Sequence, residues 1–136
     1  MMTQQATLNL TLSHTPPGST VASNAVLAVT SNYVSQEGGT LDIPDATASG
    51  TEFVLPFGSV DTDALMFVFK NTNSQDMLLK INGNPGLTRV SPGGMIMIGH
   101  PTAVSGGTPT PLLSASVVTT ATQVGAGSVN YYVFGS

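Results

Sequence analysis

The chain has 136 residues, a length for one domain with one core. Only 7% of them are charged, against a usual figure of about 25%, and the net charge is −4 with Lys70, Lys80 and Arg89 the sole basic residues. So few cations cannot neutralise a run of phosphates or hold an anionic membrane, and the lack of cysteine excludes a disulfide scaffold and a thiolate metal site.

Period-two alternation dominates the chain. In "ATLNLTLS" the residues Ala6, Leu8, Leu10 and Leu12 point one way and Thr7, Asn9, Thr11 and Ser13 the other, which predicts a half-buried strand. "HTPPGST" breaks it with two prolines and a glycine, so residues 1–20 read as an extended N-terminal arm or first strand, and 21–136 as the main domain. The opening has no basic stretch before an apolar run, and no apolar run approaches a membrane-spanning length, so neither a signal peptide nor a transmembrane helix is expected. "VASNAVLAVTSNYV" favours strand through its β-branched residues. "SQEGGTLDIPDATASG" reads as a turn-rich connection with a short extended piece at Leu41 to Ile43, and "TEFVLPF" as a strand that Pro56 confines to an edge.

"ALMFVF" and "MLLKIN" then read as partner strands joined by the polar turn "NTNSQD". "GNPG" and "SPGG" are further turns around the short strand "LTRV", leading into "MIMIG". After the irregular "HPTAVSGGTPTP", the strands "LLSASVVTTAT" and "SVNYYVFG" close the sequence. Eight or nine short antiparallel strands, punctuated by Gly, Pro and Asn and without an amphipathic helix, predict an all-β, single-domain β-sandwich of jelly-roll-like type.

Catalysis needs converging titratable groups, and none is evident. His14 and His100 each sit beside turn residues and read as loop residues, and no G-x-S-x-G elbow exposes a nucleophile. Asp61 and Asp63, two apart as hard-cation ligands often are, lack the rest of a calcium loop; Asp42 and Asp45 read the same way. Glu37 and Glu52 have no evident partner, and the Asn9-Leu10-Thr11 sequon has no secretory context. "SPGGM" and "VGAGS" lack the Lys-Ser/Thr of a phosphate loop and read as turns. The expectation is therefore a non-enzymatic protein with no cofactor and no metal.

The surface is the informative part. A monomer of this mass exposes roughly 6,700 Å², or about one charge per 670 Å², so either Ser, Thr and Asn carpet the surface or neighbouring subunits cover much of it, and the second is expected. "MIMIG" and "LMFVF" are apolar on both strand faces, so something must cover the outer one. Met66 and Met77, like Met95 and Met97, read as core or contact packing, and of Tyr131 and Tyr132, on opposite strand faces, one can mark a contact surface. The candidate interface residues are Leu8, Leu10, Leu12, Met95, Met97 and Tyr132.

"FVFKNTNSQDMLLKING", "VSPGGMIMIG" and "SASVVTTATQVGAGSVNYYVFGS", within residues 65 to 136, resemble small accessory proteins of tailed-bacteriophage virions, the head decoration or cement proteins and related minor structural proteins. The resemblance implies a protein of the capsid exterior, made in the host cytoplasm. It would bind the major capsid protein lattice as a homotrimer or other homo-oligomer and strengthen it without catalysis. Residues 1 to 15 would act as an arm on a neighbour. A tail or head-fibre component is the alternative within the same particle, and a carbohydrate-binding or adhesive β-module the alternative of another class.

Overall fold

A computed structural model describes residues 4–60, 64–84, 88–99, 102–103 and 110–135. The described residues form strands and turns with no helix: β1 (Gln4–His14), β2 (Ser23–Tyr33), β3 (Ser35–Ile43), β4 (Glu52–Leu55), β5 (Ala64–Asn71), β6 (Met77–Ile81), β7 (Thr88–Val90), β8 (Met95–Gly99), β9 (Thr102–Ala103), β10 (Thr110–Pro111), β11 (Ala115–Thr119) and β12 (Gly127–Gly135). The body is a β-sandwich, as expected from the strand and turn spacing. One four-stranded antiparallel sheet has the order β3-β12-β5-β8 and the other β4-β11-β6-β7.

Alternation builds the core between these sheets. Phe67 and Phe69 of β5, Val129, Tyr131 and Val133 of β12, and Ile43 of β3 meet Leu55, Met77, Leu79, Val90 and Val117 from the other sheet. The Phe57 and Phe67 rings lie 6.0 Å apart, centroid to centroid. Pro56 directly follows β4, an edge strand, where a missing N–H costs no ladder bond.

Two expectations need correction. "MLLKIN" does not return beside "ALMFVF": β5 pairs with β12 and β8, whereas β6 lies in the opposite sheet between β11 and β7. Both strands are apolar towards one interior, so facing each other across the core buries more than lying side by side would. The crossing between them is held from within. Buried Asn71 donates from Nδ2 to the carbonyls of Gln75 (2.9 Å) and Val90 (2.8 Å), and its Oδ1 accepts the Asn73 N–H at 2.9 Å. Asn73 and Gln123 exchange a reciprocal pair of amide bonds, both 2.9 Å.

The second correction is at "SQEGGTLDI", which is a nine-residue strand rather than a loop with three extended residues. Its two glycines hid it. Gly38 lies under Tyr132, and a Cβ there would stand 2.7 Å from the Tyr132 Cδ1, so the strand needs a residue without a side chain at this point.

β1 and β2 form a separate two-stranded sheet, antiparallel in register from Gln4↔Tyr33 to His14↔Ser23. A four-residue turn closes the inner part of its tip loop: the Ser19 N–H donates to the Pro16 carbonyl at 3.0 Å, with Pro17 and Gly18 at the corner and Gly18 at φ +79°. That is a type II turn, and Ser91-Pro92-Gly93-Gly94 repeats it, with Gly93 at φ +79° and a 2.8 Å bond from the Gly94 N–H to the Ser91 carbonyl. The surface area of 7,791 Å² exceeds the roughly 6,700 Å² of a compact monomer of this mass.

Candidate functional site

The candidate site is a pair of partly exposed apolar faces, one on the β1–β2 arm and one on the body. Directly paired residues of an antiparallel ladder share a face. On the arm, Ala6, Leu8, Leu10 and Leu12 of β1 therefore share one face with Ala25, Leu27 and Val29 of β2. Ala6, Leu8 and Val29, near the root, are half-buried, whereas Leu12 is 61% and Leu27 67% exposed towards the tip. The opposite face carries Gln5, Thr7, Asn9, Thr11, Ser13, Asn24, Thr30 and Asn32 beside Val26 and Ala28. There, Thr7 and Thr30 are hydrogen-bonded through their hydroxyls at 3.0 Å. The arm contains no charged residue: all ten lie between Glu37 and Arg89.

On the body, the two sheets present unlike outer faces. The register of β4-β11-β6-β7 puts Glu52, Ser116, Lys80 and Arg89 outward, interleaved with Val54, Leu78 and Val118. Glu52 accepts from Ser116 Oγ at 2.6 Å and pairs with Lys80 Nζ at 3.2 Å, and Arg89 Nη1 meets Asp76 Oδ2 at 3.1 Å. The Ser116 bond and then the Lys80 ammonium hold the Glu52 carboxyl below its ordinary value.

The outer face of β3-β12-β5-β8 changes from polar to apolar along its length. Its rows run Thr40–Asn130–Lys70–Met95, then Gly38–Tyr132–Val68–Met97, then Gln36–Phe134–Met66–Gly99. Ile96 and Ile98 point into the sandwich, leaving Met95 and Met97 outward. Met95 is 52% and Tyr132 54% exposed. Met66 is fully buried although it lies outside the sandwich core, on this outer face. Next to it the arm root is anchored: Tyr33 packs edge-on against Phe134 at 4.9 Å, and the Val34 N–H donates to the Gly135 carbonyl at 2.9 Å. Tyr33 lies on the arm's apolar face and donates its hydroxyl to Gln4 Oε1 at 2.8 Å. The two apolar faces thus meet at Tyr33 and Phe134.

The six residues expected at an interface divide between these faces: Leu8, Leu10 and Leu12 on the arm, Met95, Met97 and Tyr132 on the body. Sequence reasoning missed Leu27, Val29, Val68 and Phe134, which alternation alone could have placed once the pairing register was known. Beside Tyr132 and Phe134 a shallow pocket of about 270 Å³ is lined by Gln36, Glu37 and Gly38.

The remaining titratable residues are dispersed. His14 is exposed at the end of β1. Asp45 Oδ1 accepts the Ala46 N–H (2.9 Å) and the Gly125 N–H (2.7 Å), a turn-forming role. Glu37 Oε1 accepts the Gly38 N–H at 3.2 Å, and Glu52 lies in the other sheet. Asp61, Asp63 and His100 lie outside the described residues. Among the described residues no three His, Asp or Glu side chains gather where a metal could be held, and no helix is long and apolar enough to cross a membrane. No protein-family model, no curated protein and no solved structure matches this chain.

Proposed function

We propose that the chain is a non-enzymatic structural protein of a virus particle that decorates and stabilises a capsid by binding the capsid lattice as an oligomer. The observation that carries this reading is the arm: a hairpin of two 11-residue strands with an apolar, uncharged face open along its outer half. A lone soluble domain gains nothing from such an element, whereas an assembly protein uses it to reach a neighbour. The body supports the same reading. Its strand order, β3-β12-β5-β8 facing β4-β11-β6-β7, follows the two Greek keys of a jelly roll, an architecture used by viral shell proteins and by lectins. That the particle is a phage is proposed on the resemblance of residues 65 to 136 to phage head accessory proteins.

Co-sedimentation with empty phage shells tests the proposal. Saturable binding, with shells that withstand heating longer when coated, is the expected result; protein that stays in the supernatant at every shell concentration refutes it. A second reading, a saccharide-binding module, draws on the pocket beside Tyr132, where an exposed ring adjoins the Glu37 carboxylate and the Gln36 amide. A glycan array separates the two, since binding that Tyr132→Ala abolishes belongs to the second reading alone.

A further inference from the structure

We infer that Asn82 is a site of spontaneous covalent modification, deamidation through a cyclic imide formed with Gly83, and that the fold restrains it by a clasp on the approach to β11. The inference stands on the turn after β6 and is independent of the capsid reading.

The sequence supplies the reactive pair. Asn82-Gly83 is the sole Asn-Gly step in the chain. In such a step the following backbone nitrogen meets the carboxamide carbon with no side chain in the way. The bond from the Gly83 nitrogen to Asn82 Cγ forms, the Cγ–Nδ2 bond breaks, and Nδ2 leaves as ammonia with the Gly83 amide proton. Water then opens the five-membered imide. Cleavage at Cγ gives an aspartate at position 82, and cleavage at the main-chain carbonyl gives an isoaspartyl linkage that runs the backbone through the former side chain. Residues 82 to 84 are exposed, and a Cβ on Gly83 would meet nothing within 4 Å, so water reaches the step freely.

The structure supplies the restraint. Asn82 and Gly83 have φ of +52° and +68°, and the Asn84 N–H donates to the Ile81 carbonyl at 2.9 Å, which together make a type I′ turn. In that turn the first corner residue has ψ of about +30°, which puts the Gly83 nitrogen nearly opposite Cβ across the Cα–C bond. Ring closure needs the two on one side, at ψ of about −120°, the value of a type II′ turn. The peptide plane between Asn82 and Gly83 must therefore turn over first.

The side chain is held as well. Asn82 Oδ1 accepts the Leu113 N–H at 2.7 Å and the Ser114 N–H at 3.0 Å, and the Asn82 N–H donates to the Ser114 carbonyl at 2.9 Å. The carboxamide thus ties the turn to the segment entering β11, and it must release both donors to reach Gly83. The same donors distinguish the products. An aspartate carboxylate accepts both N–H groups as a charged, stronger acceptor, whereas the isoaspartyl form adds a methylene to the turn and carries the acceptor away.

Peptide-mapping mass spectrometry of the full chain, aged in mildly alkaline buffer with and without unfolding urea, tests the inference. In the unfolded chain Asn82 should convert before any of the other seven asparagines, with both isomers appearing. In the native protein the conversion should be slower by about tenfold or more, since two side-chain hydrogen bonds and the turn geometry oppose it. At urea concentrations below the unfolding transition, the rate should rise in step with amide exchange at Leu113 and Ser114. An unfolded chain that converts first at another asparagine removes the site. Equal rates in the two states, or conversion that rises while the Leu113 and Ser114 amides stay protected, remove the clasp.

Discussion

At the scale of single residues, Gly38 links the fold to the exposed face. A Cβ there would stand 2.5 Å from the Tyr131 carbonyl oxygen and 2.7 Å from Tyr132 Cδ1. Gly38→Ala should destabilise the protein by about 1–3 kcal/mol, the range for overpacking a filled site, and should swing Tyr132 away from the Val68–Met97 row. Urea unfolding measures the first and the Tyr132 ring chemical shifts the second. If both stay at wild-type values, the Gly38–Tyr132 packing is misassigned. Tyr131, the neighbour pointing inward, donates its hydroxyl to the Pro56 carbonyl at 2.6 Å. Burial, and then the Glu37 carboxylate, raise its phenol above the ordinary 10.0. The unfolded chain therefore ionises this phenol first. Its contribution to stability is complete below pH 10 and disappears as pH rises through the folded value. Tyr131→Phe should flatten the alkaline limb of the urea midpoint against pH. An alkaline limb as steep as wild type would count against this role.

At the scale of elements, the arm and the sandwich differ in what holds them. β12 has ladder partners on both sides and buries Val129, Tyr131 and Val133, whereas the arm has one ladder and side chains that are mostly exposed. A lone two-stranded ribbon is marginal in water, so the arm depends on its turn and its root. Gly18 sits at φ +79°, where a side chain costs roughly 1–2 kcal/mol. Gly18→Val should speed amide exchange in residues 4 to 33 by about tenfold or more, following that cost, while the thermal midpoint of the sandwich stays put. Amide exchange followed by mass spectrometry distinguishes this from a loss of stability spread over both units, which would show that they unfold together. The arm also shows what alternation can and cannot reveal. The pattern Leu8, Leu10, Leu12 was legible from residue types alone. Its pairing with β2, which makes the apolar face two strands wide, was not, because a turn sequence such as "TPPGSTVA" allows several registers. At "NTNSQD" the same limit led to the wrong partner: turn chemistry fixes that the chain bends, and long-range burial decides which sheet receives it.

At the scale of the whole molecule, the class of fold was legible because it depends on local quantities: period-two alternation, proline and glycine punctuation, and the scarcity of helix formers. Strand order depends instead on which apolar faces meet, and β12 illustrates the difference. From "SVNYYVFG" nothing indicates that this strand, downstream of every other body strand, lies between β3 and β5. The candidate surface was half legible for a related reason. Residue type marked Met95, Met97 and Tyr132 as unusual for solvent, but only the register put them on one face and set the ion-paired Glu52, Lys80 and Arg89 on the opposite one. The interior place of β12 has a consequence for biosynthesis. Until a ribosome has released residues 127 to 135, β3 and β5 have a vacant slot between them, and the nascent polypeptide must hold two hydrogen-bonding edges open. Closure joins segments nearly a hundred positions apart, so maturation is expected to be slow and sensitive to chaperone supply.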